Sequence, residues 1–244
     1  MTLGQDTAAG QDRTAAAEQP SGLRARKKQR TRDALLREAL ERFTAQGYEQ
    51  TTIDEITDAV EVSQRTFFRY YASKEEVAFA VVEMVESKFV EALRVRPASE
   101  GPMEAMRNAV TSAWTSVGET IQSVIPVELY MRTYRMIEST PALLAIHLRR
   151  SAGLEEELSQ LLADREGLDV DTDPRPRVAV AAFTGVMRVT GQLWGKGQDS
   201  SLETLRELSE RYLDHLGPAL AEDWRTAGPC AGPASSCPVR RTRG

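Results

Sequence analysis

EVSQRTFFRYYASKEEV, residues 61–77, contains the run Phe67-Phe68-Arg69-Tyr70-Tyr71, four aromatics in five positions. The whole 244-residue chain has only six Phe and six Tyr, so a third of them fall within one turn and a half of helix. On a helix beginning near residue 64, Phe67 and Tyr71 are four apart and share a face that can close a small core. Arg65 and Arg69, also four apart, point away from that face. Gln64 stands at the tip with Phe68 beside it, and Thr66 and Tyr70 occupy the remaining flank. Two aromatics thus serve packing, and two border a polar ridge. A helix that enters a DNA groove needs that division: side chains of its first turn reach base edges while flanking groups hold phosphates.

The flanking residues define short helices around this one. Thr52-Ile53-Asp54-Glu55 has the form of a capping box, in which the first and fourth residues satisfy each other's free backbone N–H groups. The helix it opens ends near Val60. Ser63 then caps the next, with Val62 and Phe67 at the two staple positions. Upstream, Leu36, Ala39, Leu40 and Phe43 recur at helical spacing over 31–46, and Gly47 stands where a C-terminal cap belongs. Two short helices about three residues apart make a helix-turn-helix.

Taken together, FTAQGYEQTTIDEITDAVEVSQRTFFRYYASKEEV (43–77) resembles the DNA-binding domain of TetR-family transcriptional regulators. The resemblance covers about 45 residues from Thr31 and rests on Phe43, Gly47-Tyr48, Thr51-Thr52, Ile56, Val62-Ser63, Thr66, Ser73-Lys74 and Val77. It implies an all-α homodimer that binds a palindromic operator and releases it when a small molecule enters the C-terminal domain. By position, Gln64, Arg65 and Thr66 resemble base-reading residues, and Thr52, Tyr70 and Lys74 resemble phosphate contacts. Ser63, Phe68 and Arg69 on the same ridge complete the expected DNA-binding set. Two residues depart from the pattern. Glu61 stands where the family usually has Gly, and a left-handed Glu there costs on the order of 1 kcal/mol. Phe68 replaces a phosphate-binding Tyr, which leaves it either a thymine methyl or sugar to touch, or a place in the core.

The net charge of −5 hides an asymmetry. Residues 24–74 carry 11 Lys and Arg against 8 Asp and Glu, whereas residues 75–244 carry 19 against 25. The basic run RARKKQRTR (24–32), with Arg26, Lys27, Lys28 and Arg30, is expected to act as a flexible arm along the DNA backbone or minor groove. Cys230 and Cys237 lie in a Pro/Gly/Ser-rich tail; they are read as reduced bystanders in a cytoplasmic protein. The longest apolar stretch, VAVAAFTGVMRVTGQLWG (178–195), is broken by Arg188 and Gln192 and suits a buried helix rather than a membrane span.

From Ser73 onward, helical patterns are expected at 73–94, 102–117, 126–139, 141–165, 174–195 and 201–221, with breaks at prolines and glycines. The segment from Val127 to Trp194, with RTYRMIESTPALLAIHLRRS and ELSQLLADREGLDVDTDPRPRVAVAAFTG, resembles the subgroup whose C-terminal domain is described as acyl-CoA-like ligand-binding, the mycofactocin-regulator type. Val127, Tyr130, Tyr134 and Ile137 form one stripe with Met131 at its edge, and Trp114, Phe183 and Met187 lie on neighbouring apolar helices. Such residues suit a pocket for a small apolar or amphipathic effector, a fatty acyl-CoA first or an aromatic drug-like molecule as the alternative. They equally suit plain core packing. Arg132 and Arg135 are candidates for a ligand carboxylate or phosphate, against solvation or pairing. Ala181, Ala182 and Gly185, with the leucines of 201–221, suit half of a four-helix dimer interface.

The expected architecture is therefore all-α: a tail (1–23), a three-helix helix-turn-helix DNA-binding domain (24–75), a C-terminal helical ligand-binding and dimerisation domain (76–224) and a second tail (225–244). No catalytic residue, metal or cofactor is expected, because the two histidines, His147 and His215, lie far apart, and no Gly-rich phosphate loop or GxSxG is found. The competing classes are an enzyme with an appended helix-turn-helix and an architectural DNA-binding protein without a ligand.

Overall fold

A computed structural model describes residues 20–199 and 201–221. Among these residues the chain is α-helical without strands, and it divides into two compact units, one ending at Ala80 and the next beginning at Val81. The expectations for residues 1–19 and for the tail bearing Cys230 and Cys237 lie outside the described residues.

The first unit holds α1 (Pro20–Gln46), α2 (Ile53–Ala59), α3 (Gln64–Phe68) and the start of α4 (Lys74–Arg94). Leu35, Leu36, Ala39, Leu40 and Phe43 of α1 are buried, as their spacing demands, together with Ile56, Phe67, Tyr71 and Val77. Gly47 leaves α1 at φ +100°, a conformation that a side chain would strain. One expectation is corrected. The basic run is not a flexible arm, because α1 starts at Pro20 and carries Arg26, Lys27, Lys28 and Arg30 as exposed helical side chains. The apolar spacing marks only where α1 becomes buried; upstream of it the helix is solvated on all sides, so no periodicity announces its start.

At the other end of α2, Glu61 has φ 54°, the one positive φ outside glycine among the described residues. Its N–H donates to Asp58 O at 3.1 Å, and the Val62 N–H donates to Thr57 O at 2.9 Å. This crossed pair closes a helix only when the residue between them is left-handed. The turn therefore imposes on Glu61 the conformation that glycine adopts without strain.

The second unit comprises the rest of α4 with α5 (Pro102–Val124), α6 (Val127–Ser139), α7 (Pro141–Glu166), α8 (Arg175–Lys196) and α9 (Leu202–Ala221). α5 runs seven residues beyond its expected end at 117: Gly118 does not break it, and the helix stops before Pro126. α8 packs against α6, α7 and α9, and α5 lies against α6, α8 and α9. Arg165, near the end of α7, donates to Arg96 O (2.9 Å), Glu100 O (2.8 Å) and Pro97 O, pinning the α4–α5 loop. No described helix is long and apolar enough to cross a membrane.

Replacing Glu61 with Gly should raise the equilibrium unfolding free energy by roughly 0.5–1 kcal/mol, since it removes left-handed strain and exposes no new surface. Glu61→Ala, which keeps the Cβ, should stay within about 0.5 kcal/mol of the parent in the same urea titration.

Candidate DNA-reading surface and ligand cavity

The short helices of the first unit are held by their ends. Thr52 N–H donates to Glu55 Oε2 at 2.8 Å, and Glu55 N–H donates to Thr52 Oγ1 at 3.2 Å, completing the capping box. These bonds from Thr52 hold the Glu55 carboxyl below its usual range. Ser63 Oγ accepts from Thr66 N–H at 3.2 Å and starts α3. Phe67 and Tyr71 are fully buried below it, and the Tyr71 hydroxyl donates to Arg32 O at 3.3 Å.

Above that core the structure exposes Gln64, Arg65, Phe68 and Arg69, with Thr66 and Tyr70 partly covered. Phe68 is half exposed, so it is not a core residue; its ring meets the edge of Phe67 at 5.4 Å and its outer face is open. Gln64 Nε2 donates to Asp54 Oδ1, and Arg69 stacks over the Tyr70 ring at 4.9 Å while donating to its hydroxyl. A guanidinium and a phenol locked together this way present two donors to a phosphate.

Lys74 has a further role that the sequence did not suggest. Its Nζ donates to Tyr48 O (2.9 Å) and Thr51 O (2.7 Å) and lies 4.6 Å from the Tyr48 ring centroid. The ammonium thus ties the first turn of α4 to the α1–α2 loop, where Thr51 is buried. Burial, with Glu75 alongside, pushes the Tyr48 phenol upward.

In the second unit, a cavity of about 420 Å³ is lined by α4, α5, α6, α7, α8 and α9. Trp114, Tyr130, Tyr134, Phe183 and Met187, five of the six expected ligand residues, line it. Met131 does not. It is buried elsewhere, 100° around α6 from Tyr130, and its sulfur accepts from Arg135 at 3.7 Å. Arg135 in turn donates to the carbonyls of Gly195 and Gly197, which closes the end of α8, and Arg132 is exposed. Neither arginine lines the cavity.

The lining mixes aromatic rings with aliphatic side chains, among them Val85, Val110, Leu148, Leu154, Leu158 and Leu205. Phe89 and Phe183 stack at 5.6 Å with their planes 9° apart, and Tyr130 and Tyr134 lie 6.0 and 6.4 Å from Trp194. Tyr134 can occupy this position because Gly191 has no side chain; a Cβ there would stand 2.7 Å from the Tyr134 hydroxyl. Burial pushes Tyr130 up to about 12 and raises Tyr134 as well. His147, which faces Tyr134 edge-on at 6.4 Å, is pulled down by burial, with Glu138 opposing and Arg150 reinforcing.

Sequence reasoning missed four ionisable lining residues, Glu86, His147, Glu155 and Arg188, and the hydroxyls of Ser151 and Thr184. Arg188 was visible as a break in an apolar stretch, and Glu86 as a carboxylate at an apolar position of α4. Glu155 and His147 offered no signal before the fold brought α7 against α8.

Residues 35–81 match the family described as "Bacterial regulatory proteins, tetR family", and residues 100–221 match "MftR C-terminal domain". The HTH-type transcriptional regulator TcmR of Streptomyces glaucescens is 48% identical over 207 residues, covering 85% of this chain and 92% of that protein. MftR of Mycobacterium tuberculosis, named for mycofactocin biosynthesis regulation, is 27% identical over 165 residues, covering 67% and 79%. Among solved structures, a transcriptional regulator from Pseudomonas aeruginosa PAO1 superposes with a TM-score of 0.51 at 17% identity, covering 85% of this chain and 95% of that one. The chain belongs to the TetR family of bacterial transcriptional regulators, with a helix-turn-helix DNA-binding head and a C-terminal domain of the MftR type.

Two substitutions separate reading from scaffolding. Arg65→Ala should lose about 1–3 kcal/mol of operator affinity, concentrated at one base pair per half-site in a panel of singly substituted operators. Lys74→Met should lower thermal stability without DNA, because two charge-assisted hydrogen bonds are removed, each typically contributing about 1.5–3 kcal/mol. A Lys74→Met protein that melts like the parent would return Lys74 to a purely phosphate-contacting role.

Proposed function

We propose that this protein is a homodimeric repressor that leaves a palindromic operator when a flat, mostly apolar aromatic molecule occupies the C-terminal cavity. The observation that carries the ligand reading is the lining itself: stacked Phe89 and Phe183 together with apolar side chains and two phenols, in a volume within the range of small-molecule sites. Between the two effector classes considered from the sequence, the charges favour the aromatic one. Glu86 and Glu155 face the cavity against one guanidinium, Arg188, an arrangement that opposes the polyphosphate of an acyl-CoA.

On the DNA side, Gln64, Arg65 and Thr66 are the proposed base readers, and Thr52, Ser63, Phe68, Arg69, Tyr70 and Lys74 the proposed backbone contacts, with the exposed α1 cations Arg26, Lys27, Lys28 and Arg30 adding to phosphate binding. α4 begins at Lys74 in the head and contributes Val85, Glu86 and Phe89 to the cavity, so it is the proposed transmitter. A ligand shifts the operator equilibrium only by as much as it prefers one conformation of that helix. Dimerisation is proposed through α8, where exposed Val178, Val189 and Leu193 lie along the side of Gly185, with α9 beside it. A Cβ added at Gly185 would meet nothing within 4 Å in the single chain, leaving room for a partner's helix.

Operator DNA selected from a random pool provides the test. A planar aromatic effector should weaken binding by about 1–3 kcal/mol, and the operator should weaken effector binding by the same factor. Tyr134→Ala and Trp114→Ala should lose that response and keep DNA affinity without ligand. Release by fatty acyl-CoAs and not by aromatics would reassign the ligand class, and no release by either would overturn the reading.

Gly185→Arg should yield monomers in native mass spectrometry, with operator affinity falling at least a hundredfold while the helical circular dichroism is kept. A dimer that survives this substitution places the interface elsewhere.

A further inference from the structure

Glu86 occupies an unusual position on α4. Val82, Phe89, Val90 and Leu93 are its neighbours at i−4, i+3, i+4 and i+7, and all four are buried. The half-buried carboxylate therefore borders an apolar helical stripe, with Glu83 at i−3, on the wall of the cavity and of an adjoining cleft. The cations beside that cleft are committed to other partners: Arg150 pairs with Glu83 at 2.5 Å, Arg94 with Glu157 at 2.9 Å and Lys88 with Glu91 at 2.7 Å. Among the described residues, none forms a hydrogen bond or ion pair with Glu86. Tyr130, which lines the same cavity, lies within electrostatic reach of it, and its hydroxyl likewise has no hydrogen-bond partner among the described residues.

A half-buried carboxylate without hydrogen-bond donors is unfavourable until a donor reaches it. Burial raises its pKa, with Arg150 opposing and Glu83 adding to the rise. Arg150, already paired with Glu83, is within electrostatic reach of it, and a Leu would continue the apolar positions at i−4, i+3, i+4 and i+7.

We propose that Glu86 is the specificity-determining residue of the cavity: it accepts a hydrogen bond from an N–H or O–H donor on the rim of a flat aromatic effector. The inference rests on the reading of this cavity as the effector site. Rings without a donor would leave the carboxylate unsatisfied, and rings bearing a carboxylate would meet it with like charge. The aromatic walls hold the ring system in either case, so Glu86 discriminates among aromatics rather than capturing them.

The test uses the full-length protein and one ring system with four substituents: 2-hydroxyanthraquinone, 2-aminoanthraquinone, 2-methoxyanthraquinone and anthraquinone-2-carboxylate. Binding is followed by quenching of tryptophan fluorescence, to which Trp114 and Trp194 on the cavity wall contribute. The parent should bind the hydroxyl or the amino compound at least tenfold more tightly than the methoxy compound, and the carboxylate most weakly. Whichever donor is preferred identifies the N–H or O–H source. In Glu86→Leu the donor preference should fall to about one, with the methoxy compound bound at least as tightly as by the parent. Glu86→Gln should keep part of the preference and admit the carboxylate. Both variants should melt no lower than the parent at neutral pH, which separates lost selectivity from lost folding. A parent without donor preference, or a Glu86→Leu protein that retains it, overturns the assignment of Glu86 while leaving the aromatic site standing. Failure of all four compounds to bind the parent overturns the cavity reading and this inference with it.

Discussion

A helix of five residues cannot satisfy its own backbone, because nearly every N–H and C=O it owns belongs to a terminus. α3, which carries the candidate base readers, is such a helix, and α2 has only seven residues. Their existence depends on partners outside the helices: Thr52 with Glu55, Ser63 with Thr66, and the left-handed Glu61 that lets Val62 reach back to Thr57. Phe67 and Tyr71 then fasten the assembly to α1, and Lys74 ties α4 to the preceding loop. The groups beneath the exposed ridge are spent on capping and packing.

The second unit follows a different constraint. Its helices are long enough to satisfy themselves internally, so side-chain bulk decides how closely they approach. Gly191 admits the Tyr134 ring against α8, and stacked Phe89 and Phe183 line the same space. Aromatic and aliphatic side chains around one small-residue site leave a cavity rather than a filled core. The polar groups on its rim, the Tyr130 and Tyr134 phenols, Glu86, Glu155 and His147, are the points at which a ligand can be oriented.

Much of the reading head was legible because its information is local. Capping boxes, staples and an aromatic pair at i and i+4 act over four residues, and a linear sequence displays them directly. The sequence reading ran out where that locality ended. α1 continues upstream as a solvated helix whose polar residues show no periodicity, so Arg26 to Arg30 read as a loose arm. Phe68 could have belonged to the core or the surface, and only the direction of its side chain from a seated α3 exposes it. Lys74 fitted a phosphate contact by position, yet the carbonyls it meets belong to residues more than 20 positions away.

In the cavity, a single stripe on α6 identified Tyr130 and Tyr134, because both lie on a face that any packing partner must meet. Met131, at the edge of the same stripe, is turned 100° away and packs under Arg135. Sequence alone determined the all-α class, the helix-turn-helix, its caps and the aromatic stripe, since each follows from propensities and contacts within a few residues. Only the tertiary structure decided which stripes enclose empty space and which fill it, and that Glu86 faces that space without a partner. Those facts depend on side chains from six helices meeting at one place, and no periodicity within one helix encodes the distance to another.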